Sequence, residues 1–393
     1  MKRMKRTLTT PVTVVLTVVA LLGAPSAQAS SGGPSVRLDG SNGSFFPYSP
    51  NCGTEWCYGT TWFGGSLNMG TVYRVKPDGT SYSVVGNFEG ANGLQPSQAP
   101  AISSDGKSLY GTTSQGGDAG SGAIYMADTI TGTITALASF TGPNGSTPQA
   151  PPIIVGEELF GVAGQGGKSS RGVVWTMPRS GGEIKVLHSF VGGKKDVATP
   201  FGALTLNPHD GMLYGMAFAQ AANGLGGIFR VNPKTGSYKL MASFTAATGG
   251  VPQTGALVVG PDKALYGNGW ALGKDNGGSV FRYNPKTNEI KPIFFYAPTT
   301  GIQPYSGVAF SSSGKWIYSL TWRGGEFGGG TLLAIKADGS DYRILQQFGP
   351  KTGLNNTAAP TITPDGKRLI YTQNGGKYPL GVLYSMRIPA SVR

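Results

Sequence analysis

Apolar and polar residues alternate along this chain in short runs. Ser108–Thr113 ("SLYGTT"), "AIYMA" (123–127) and Thr71–Val75 ("TVYRV") each swap character at every second position, and Gly, Pro, Asn or Asp close each run. Period two between turn residues predicts β-strands. No stretch carries a helical period with caps at its ends.

The runs recur in a fixed order. "LYG" appears at 109, 213 and 265, with variants at 159 ("LFG"), 317 ("IYS") and 369 ("LIY"), and Cys57-Tyr58-Gly59 fills the same slot. Successive starts at 57, 109, 159, 213, 265, 317 and 369 are 50 to 54 residues apart. After each start come a Gly-rich loop, a second alternating run, a tight turn such as "KPDG" or "NPKTG", and a strand ending in Ser-Phe ("ALASF", "VLHSF"). A Pro-preceded strand then leads into the next unit. The chain holds 64 Gly and 27 Pro, well above ordinary usage. Without a period that would suggest disorder. With one, it marks tight turns between four strands per unit.

Repeated four-stranded units predict an all-β fold, a seven-bladed β-propeller with four-stranded antiparallel blades. Packing blades in a ring buries both faces of each sheet, and closing the ring protects their edges. The last unit stops after "GVLYSMRIP", one strand short, while "SVRLDGSNG" (35–43) aligns with "SVVGNFEGANG" (83–93). An N-terminal strand is therefore expected to complete the C-terminal blade and close the ring.

The repeat text resembles the bacterial GloVer tandem repeats, whose units read Leu-Tyr-Gly-Thr-Thr, a Gly-Gly loop, Gly-Thr-Val-Phe and Ser-Phe. Leu109–Thr113 with Gly116-Gly117 carries the resemblance best, together with Cys57–Thr61, Gly64-Gly65 and Gly70–Tyr73. It extends over nearly all of residues 30–393, although the fourth and fifth units have lost the Thr-Thr and Gly-Gly elements. The resemblance implies an exported repeat protein and brings no catalytic residues with it.

The ends and the charge refine that picture. Lys2, Arg3, Lys5 and Arg6 precede an apolar run, Val12 to Leu22, and Ala27-Gln28-Ala29 has the form of a cleavage site. Residues 1–29 are expected to be a signal peptide, and 30–393 a single propeller domain, secreted to the periplasm or beyond. No later run is long enough to span a membrane, and the chain stops at "PASVR" without an anchor-like tail. Net charge is +13, about +9 once those four cations leave with the leader. A basic stripe with interleaved aromatics is missing, which argues against nucleic acid. The expected partner is an extracellular glycan or protein, with anionic ones mildly favoured, and the expected state is a monomer.

Anything that recurs in every unit is first of all scaffold, so the "LYG" tyrosine reads as inter-blade packing and "PDG" as turn chemistry. His188 and His209 fall on opposite ends of a blade pattern without a Cys or His companion. "GQGGKSS" (164–170) has a phosphate-loop ending but the wrong glycine spacing and no helix after it. No metal site and no cofactor are expected. Cys52 and Cys57, the two cysteines of the chain, span one hairpin of the first blade. In an exported protein they are expected to form a disulfide rather than a reactive thiol or a metal site.

Function should lie on the face where the long loops gather, between the second and third strands and between blades. Unit-specific residues there give the candidate ligand-binding set. Second-to-third loops supply Trp62, Phe63, Lys168, Arg171, Trp270, Trp322, Arg323, Glu326 and Tyr378. Inter-blade loops add Lys194, Lys195 and Tyr305. Aromatic rings beside cations suit sugar stacking and carboxylate or sulfate pairing. For the three tryptophans the alternative is packing between blades.

Two readings stay open beside a structural or adhesive role. One is a secreted recognition module that binds a glycan, an envelope component or a protein through this face. The other is a polysaccharide-degrading enzyme at the channel mouth. A lyase would use Arg171 or Arg323 to neutralise a uronate and Tyr378 or Lys168 to move the proton. A glycosidase would draw on Asp118, Asp275 and Glu326 for its two carboxylates.

Overall fold

The computed structural model describes residues 34–393 except 47 and 355, so the expected leader lies outside the described residues. Seven antiparallel blades form a ring. Blade 1 is Asn51–Cys52, Cys57–Thr61, Thr71–Val75 and Ser83–Asn87, paired in that order, and the next five blades repeat the pattern. In blade 7 the third strand, Tyr378–Arg387, receives Val36–Arg37 as its outer neighbour, with Val36 opposite Leu383 and Arg37 opposite Val382. The two chain ends thus meet in one sheet.

Packing explains why the repeated motif reads as it does. The glycine of "LYG" lies beneath the aromatic ring that the third strand presents at the facing position. A Cβ on Gly59 would run into the Tyr73 phenol, and one on Gly111 into that of Tyr125. Gly161, Gly215 and Gly267 stand in the same relation to Trp175, Phe229 and Phe281. In blade 6 the facing residue is Leu333, and Ser319 takes the glycine's place. The motif tyrosines Tyr58, Tyr110, Tyr214, Tyr266 and Tyr318 are buried. Buried apolar side chains fall into seven clusters, each drawing on two neighbouring blades. Every inter-blade interface therefore has its own small core, and the ring holds them together.

Cys52 and Cys57 face each other across the first hairpin and are disulfide-bonded. Both pack into the cluster that contains Val36, Leu38, Ile370 and Leu383, the interface between the last blade and the first. The bond sits where the ring closes.

Loop lengths divide the two faces as expected, with one correction. Second-to-third connections in blades 1 to 6 are long. In blade 7 the second strand runs to Gly375 and the third begins at Tyr378, so only residues 376–377 connect them. Tyr378 is thus the first residue of a strand rather than a loop residue. Its ring lies under the Arg37 guanidinium, 5.2 Å from the centroid.

Candidate functional site

Five inter-blade connections enter the channel mouth through the same strained step. Gln95, Thr147, Thr199, Val251 and Gln303 each precede a proline and have φ between 51° and 61°. Left-handed backbone in a non-glycine residue costs of order 1–3 kcal/mol. Hydrogen bonds on both sides hold it in place. The Thr147 N–H donates to the Ser121 carbonyl at 2.9 Å, that of Thr199 to Arg171 at 2.9 Å, and that of Gln303 to Gly277 at 2.8 Å. Their carbonyls accept from the next blade's loop, as in Trp322 N–H to Gln303 at 3.1 Å and Phe218 N–H to Thr199 at 3.2 Å. Each connection is stapled to the loops of two adjacent blades.

The position after the proline holds Tyr48, Ser97, Gln149, Phe201, Gln253, Tyr305 and, where Asn356 replaces the proline, Thr357; of these Tyr48, Ser97, Gln149, Tyr305 and Thr357 line one cavity. Just beyond the "TT" positions a second set repeats on the same face: Trp62, Ser114, Gly164, Phe218, Trp270, Trp322 and Asn374. Neighbouring rings of the two sets pack together. Tyr305 meets Trp322 edge-on at 6.3 Å, and Phe201 meets Phe218 at 6.3 Å. Trp62 stacks on Phe45 at 5.1 Å.

Where Ser97 and Ser114 replace bulk, a cavity of about 430 Å³ opens at the mouth. Its aromatic lining is Phe45, Tyr48, Trp62 and Tyr305; its amides are Gln95, Gln115 and Gln149; its hydroxyls are Ser97, Ser114, Thr147 and Thr357. Gly120 completes it. Among the described residues none of the lining side chains is charged. Burial pushes the phenols of Tyr48 and Tyr305 above their ordinary pKa, so both stay protonated donors around neutral pH. The indole N–H of Trp62 is buried without an acceptor, as are the Trp270 N–H and the Gln303 side-chain carbonyl. Unspent hydrogen-bonding capacity at a mouth is unusual in a native protein.

Of the residues that the sequence singles out, Trp62 and Tyr305 line this cavity, and Trp322 backs Tyr305. The Arg323 guanidinium lies 4.2 Å over the Trp322 ring, at the rim. The others are not gathered there. Phe63 is exposed, and its backbone pairs with Ser44. Glu326 is exposed and accepts from the Gln347 amide at 3.2 Å. Lys168 borders a separate depression beside Gly142 and Pro143. Arg171, Lys194 and Lys195 are exposed around the connection from blade 3 to blade 4.

Sequence reasoning missed Tyr48, Ser97, Gln149 and Thr357 because each sits in a Pro-rich turn that looks like scaffold. The available signal was variation at one slot inside an otherwise repeated frame.

It also missed the partner of His188. Asp196, buried, accepts from His188 Nε2 at 3.2 Å, Tyr238 Oη at 2.7 Å and the Val191 N–H at 2.8 Å, and the His188 ring stacks on Tyr238 at 3.6 Å. Burial would raise the Asp196 carboxyl, but these hydrogen bonds outweigh it and hold it below the usual range. The cluster ties blade 3 to blade 4. Among the described residues no three His, Cys, Asp or Glu side chains gather as a metal-ligand set.

Comparison with known proteins agrees with this architecture. The chain is similar to oligogalacturonate lyase from Vibrio parahaemolyticus, with TM-score 0.57 and 11% identity over 91% of each chain. A second oligogalacturonate lyase structure, in complex with manganese, gives TM-score 0.54 and 13% identity over 93% of this chain and 96% of that one. TolB from Acinetobacter baumannii gives TM-score 0.44 and 20% identity, over 71% of this chain and 60% of TolB. At these identities the likeness to the two lyases concerns the fold alone. No curated protein matches the sequence. The profile of the Gloeobacter/Verrucomicrobia repeat matches residues 56–259 and again 209–392, together most of the chain, and the protein belongs to that repeat family.

Proposed function

We propose that the protein is an exported recognition module that binds a glycan in the cavity at the loop-rich mouth of its channel. The observation that carries this reading is the lining: four aromatic rings beside neutral amides and hydroxyls, uncharged throughout the described residues. Aromatic faces stack on the apolar faces of sugar rings, while amides and hydroxyls exchange hydrogen bonds with sugar hydroxyls. The volume lies in the range of small-ligand pockets. Export is supported by the leader-like N-terminus and by the disulfide, which suits an oxidising compartment. Among the described residues no helix is long and apolar enough to cross a membrane.

The enzymatic readings find less support. A uronate lyase needs a cation and a proton-transfer group on one ligand, and a glycosidase needs two facing carboxylates. Arg171, Arg323, Lys168, Tyr378, Asp118, Asp275 and Glu326 all stand outside the lining. The two phenols inside it have raised pKa values, which makes them poor bases near neutrality. The test is an array of neutral and uronate-containing oligosaccharides. Retention of neutral ones, unchanged in Arg171→Ala and Arg323→Ala and weakened in Trp322→Ala, is the expected result. Unsaturated-uronate absorbance that disappears in Arg323→Ala would establish the lyase reading instead.

A further inference from the structure

The channel does not run open from face to face. Beneath the mouth cavity the Gln98 side-chain amide donates to the Gln149 carbonyl at 2.8 Å and to the Thr254 carbonyl at 3.3 Å, reaching across the axis from the first inter-blade connection to the fourth. The Thr254 hydroxyl donates to the Tyr305 carbonyl at 3.3 Å. Tyr48 lies against this group, with Thr254 and Gln98 beside its phenol. On the far side the segments that lead into the first strands of blades 4, 5 and 6 touch backbone to backbone. A Cβ on Gly202 would lie 2.2 Å from the Gly255 carbonyl, and one on Gly255 would lie 2.5 Å from the Gly307 nitrogen. Tyr48 is common to the mouth cavity and to the cavity below it, and so stands between them.

Five of the seven connections contribute lining residues. The other two carry Phe201, packed against Phe218 and over Gly164, and Thr254, which belongs to the floor. A pocket with such a floor is entered from the mouth. A polymer lying across it could not thread through; only an end can enter.

Resting on the glycan reading above, we infer that the cavity is a blind socket that takes the uncharged terminal unit of a hydroxyl-rich chain end-on, leaving the rest of the chain outside the rim. Recognition is then of chain ends, and an internal segment of the same polymer is not a ligand.

The experiment is calorimetric titration of the purified protein with linear neutral gluco-, manno- and galacto-oligosaccharides of increasing length. It is repeated with Ser114→Trp and Ser114→Phe. These place in blade 2 the residue types that the same slot already holds in blades 1, 5 and 6 (Trp) and blade 4 (Phe), so the scaffold accommodates them while the socket fills. The expected result is one protein bound per chain at every length, with affinity lost by at least about a hundredfold in both variants and melting unchanged. Protein bound per chain that rises with length would overturn end-on recognition and leave the glycan reading standing. No binding of any neutral oligosaccharide, or wild-type affinity in the filled variants, would overturn both.

Discussion

The two ends of the channel hold cavities of similar size and opposite character. The one at the loop-rich mouth, about 430 Å³, is lined by residues that differ from unit to unit, among them Trp62, Ser114, Gln149 and Tyr305. The other, about 460 Å³, is lined by the first strands and the residues that lead into them, among them Ala99, Ala203, Ala256 and Ala359, with Pro, Ile and Val between them. One scaffold builds both, so geometry alone does not separate them. The difference lies in where the repeat has been allowed to vary. A ring needs its inner strands small and apolar to close at the axis, and the lower cavity follows from that demand. Nothing in the packing asks for a serine at 114 where three other units carry tryptophan, and it is there that the upper cavity opens.

The contrast sorts substitutions into separate classes. Filling the upper cavity with Ser114→Trp carries the largest expected effect, loss of ligand binding with little change in melting. Next come scaffold changes. Gly111→Ala drives a methyl into the Tyr125 ring and should cost roughly 3 kcal/mol of stability. Chemical denaturation measures it, and what remains folded should bind normally. Cys52→Ser removes a short-loop disulfide, worth ~2 kcal/mol. It should lower the melting temperature by loosening the closure between blades 7 and 1, again with binding intact. A Cys52→Ser protein that melts normally but fails to bind would place the hairpin at the site instead.

Titration gives the smallest effect and a second way to separate the regions. The Asp196 carboxyl titrates lower in the folded chain than in the unfolded one. Its contribution to stability is therefore complete above the unfolded pKa of about 3.9 and is lost as pH falls through the lower folded value. Acid melting curves should show this component, and Asp196→Asn should lack it. Ligand affinity should stay flat across the neutral range, because the mouth cavity's titratable groups are two phenols with raised pKa values.

Much of the fold was legible because a period of about 52 residues, four alternations per period and a missing last strand leave few architectures. The disulfide was legible for a similar reason: Cys57 occupies a known strand position, and Cys52 falls opposite it. The site was harder to read. Trp62, Tyr305 and Trp322 stand out as bulky departures from the repeat. Ser97, Ser114 and Gln149 matter by being small or neutral where other units are large, and a search for conspicuous chemistry passes over them. Lys168, Arg171, Lys194 and Lys195 draw attention by charge, yet charge is most easily placed where solvent accepts it, on the rim. The left-handed residues before the prolines, which aim the inner side chains, leave no mark on a sequence that spells them Gln, Thr or Val.

The most direct measurement compares oligosaccharide affinity in two filled-cavity variants, Ser114→Trp at the upper mouth and Ala101→Phe in the lower cavity. Abolished binding in the first and wild-type affinity in the second is the predicted result. Retained binding in Ser114→Trp with loss in Ala101→Phe would put the ligand at the opposite end of the channel and contradict the account.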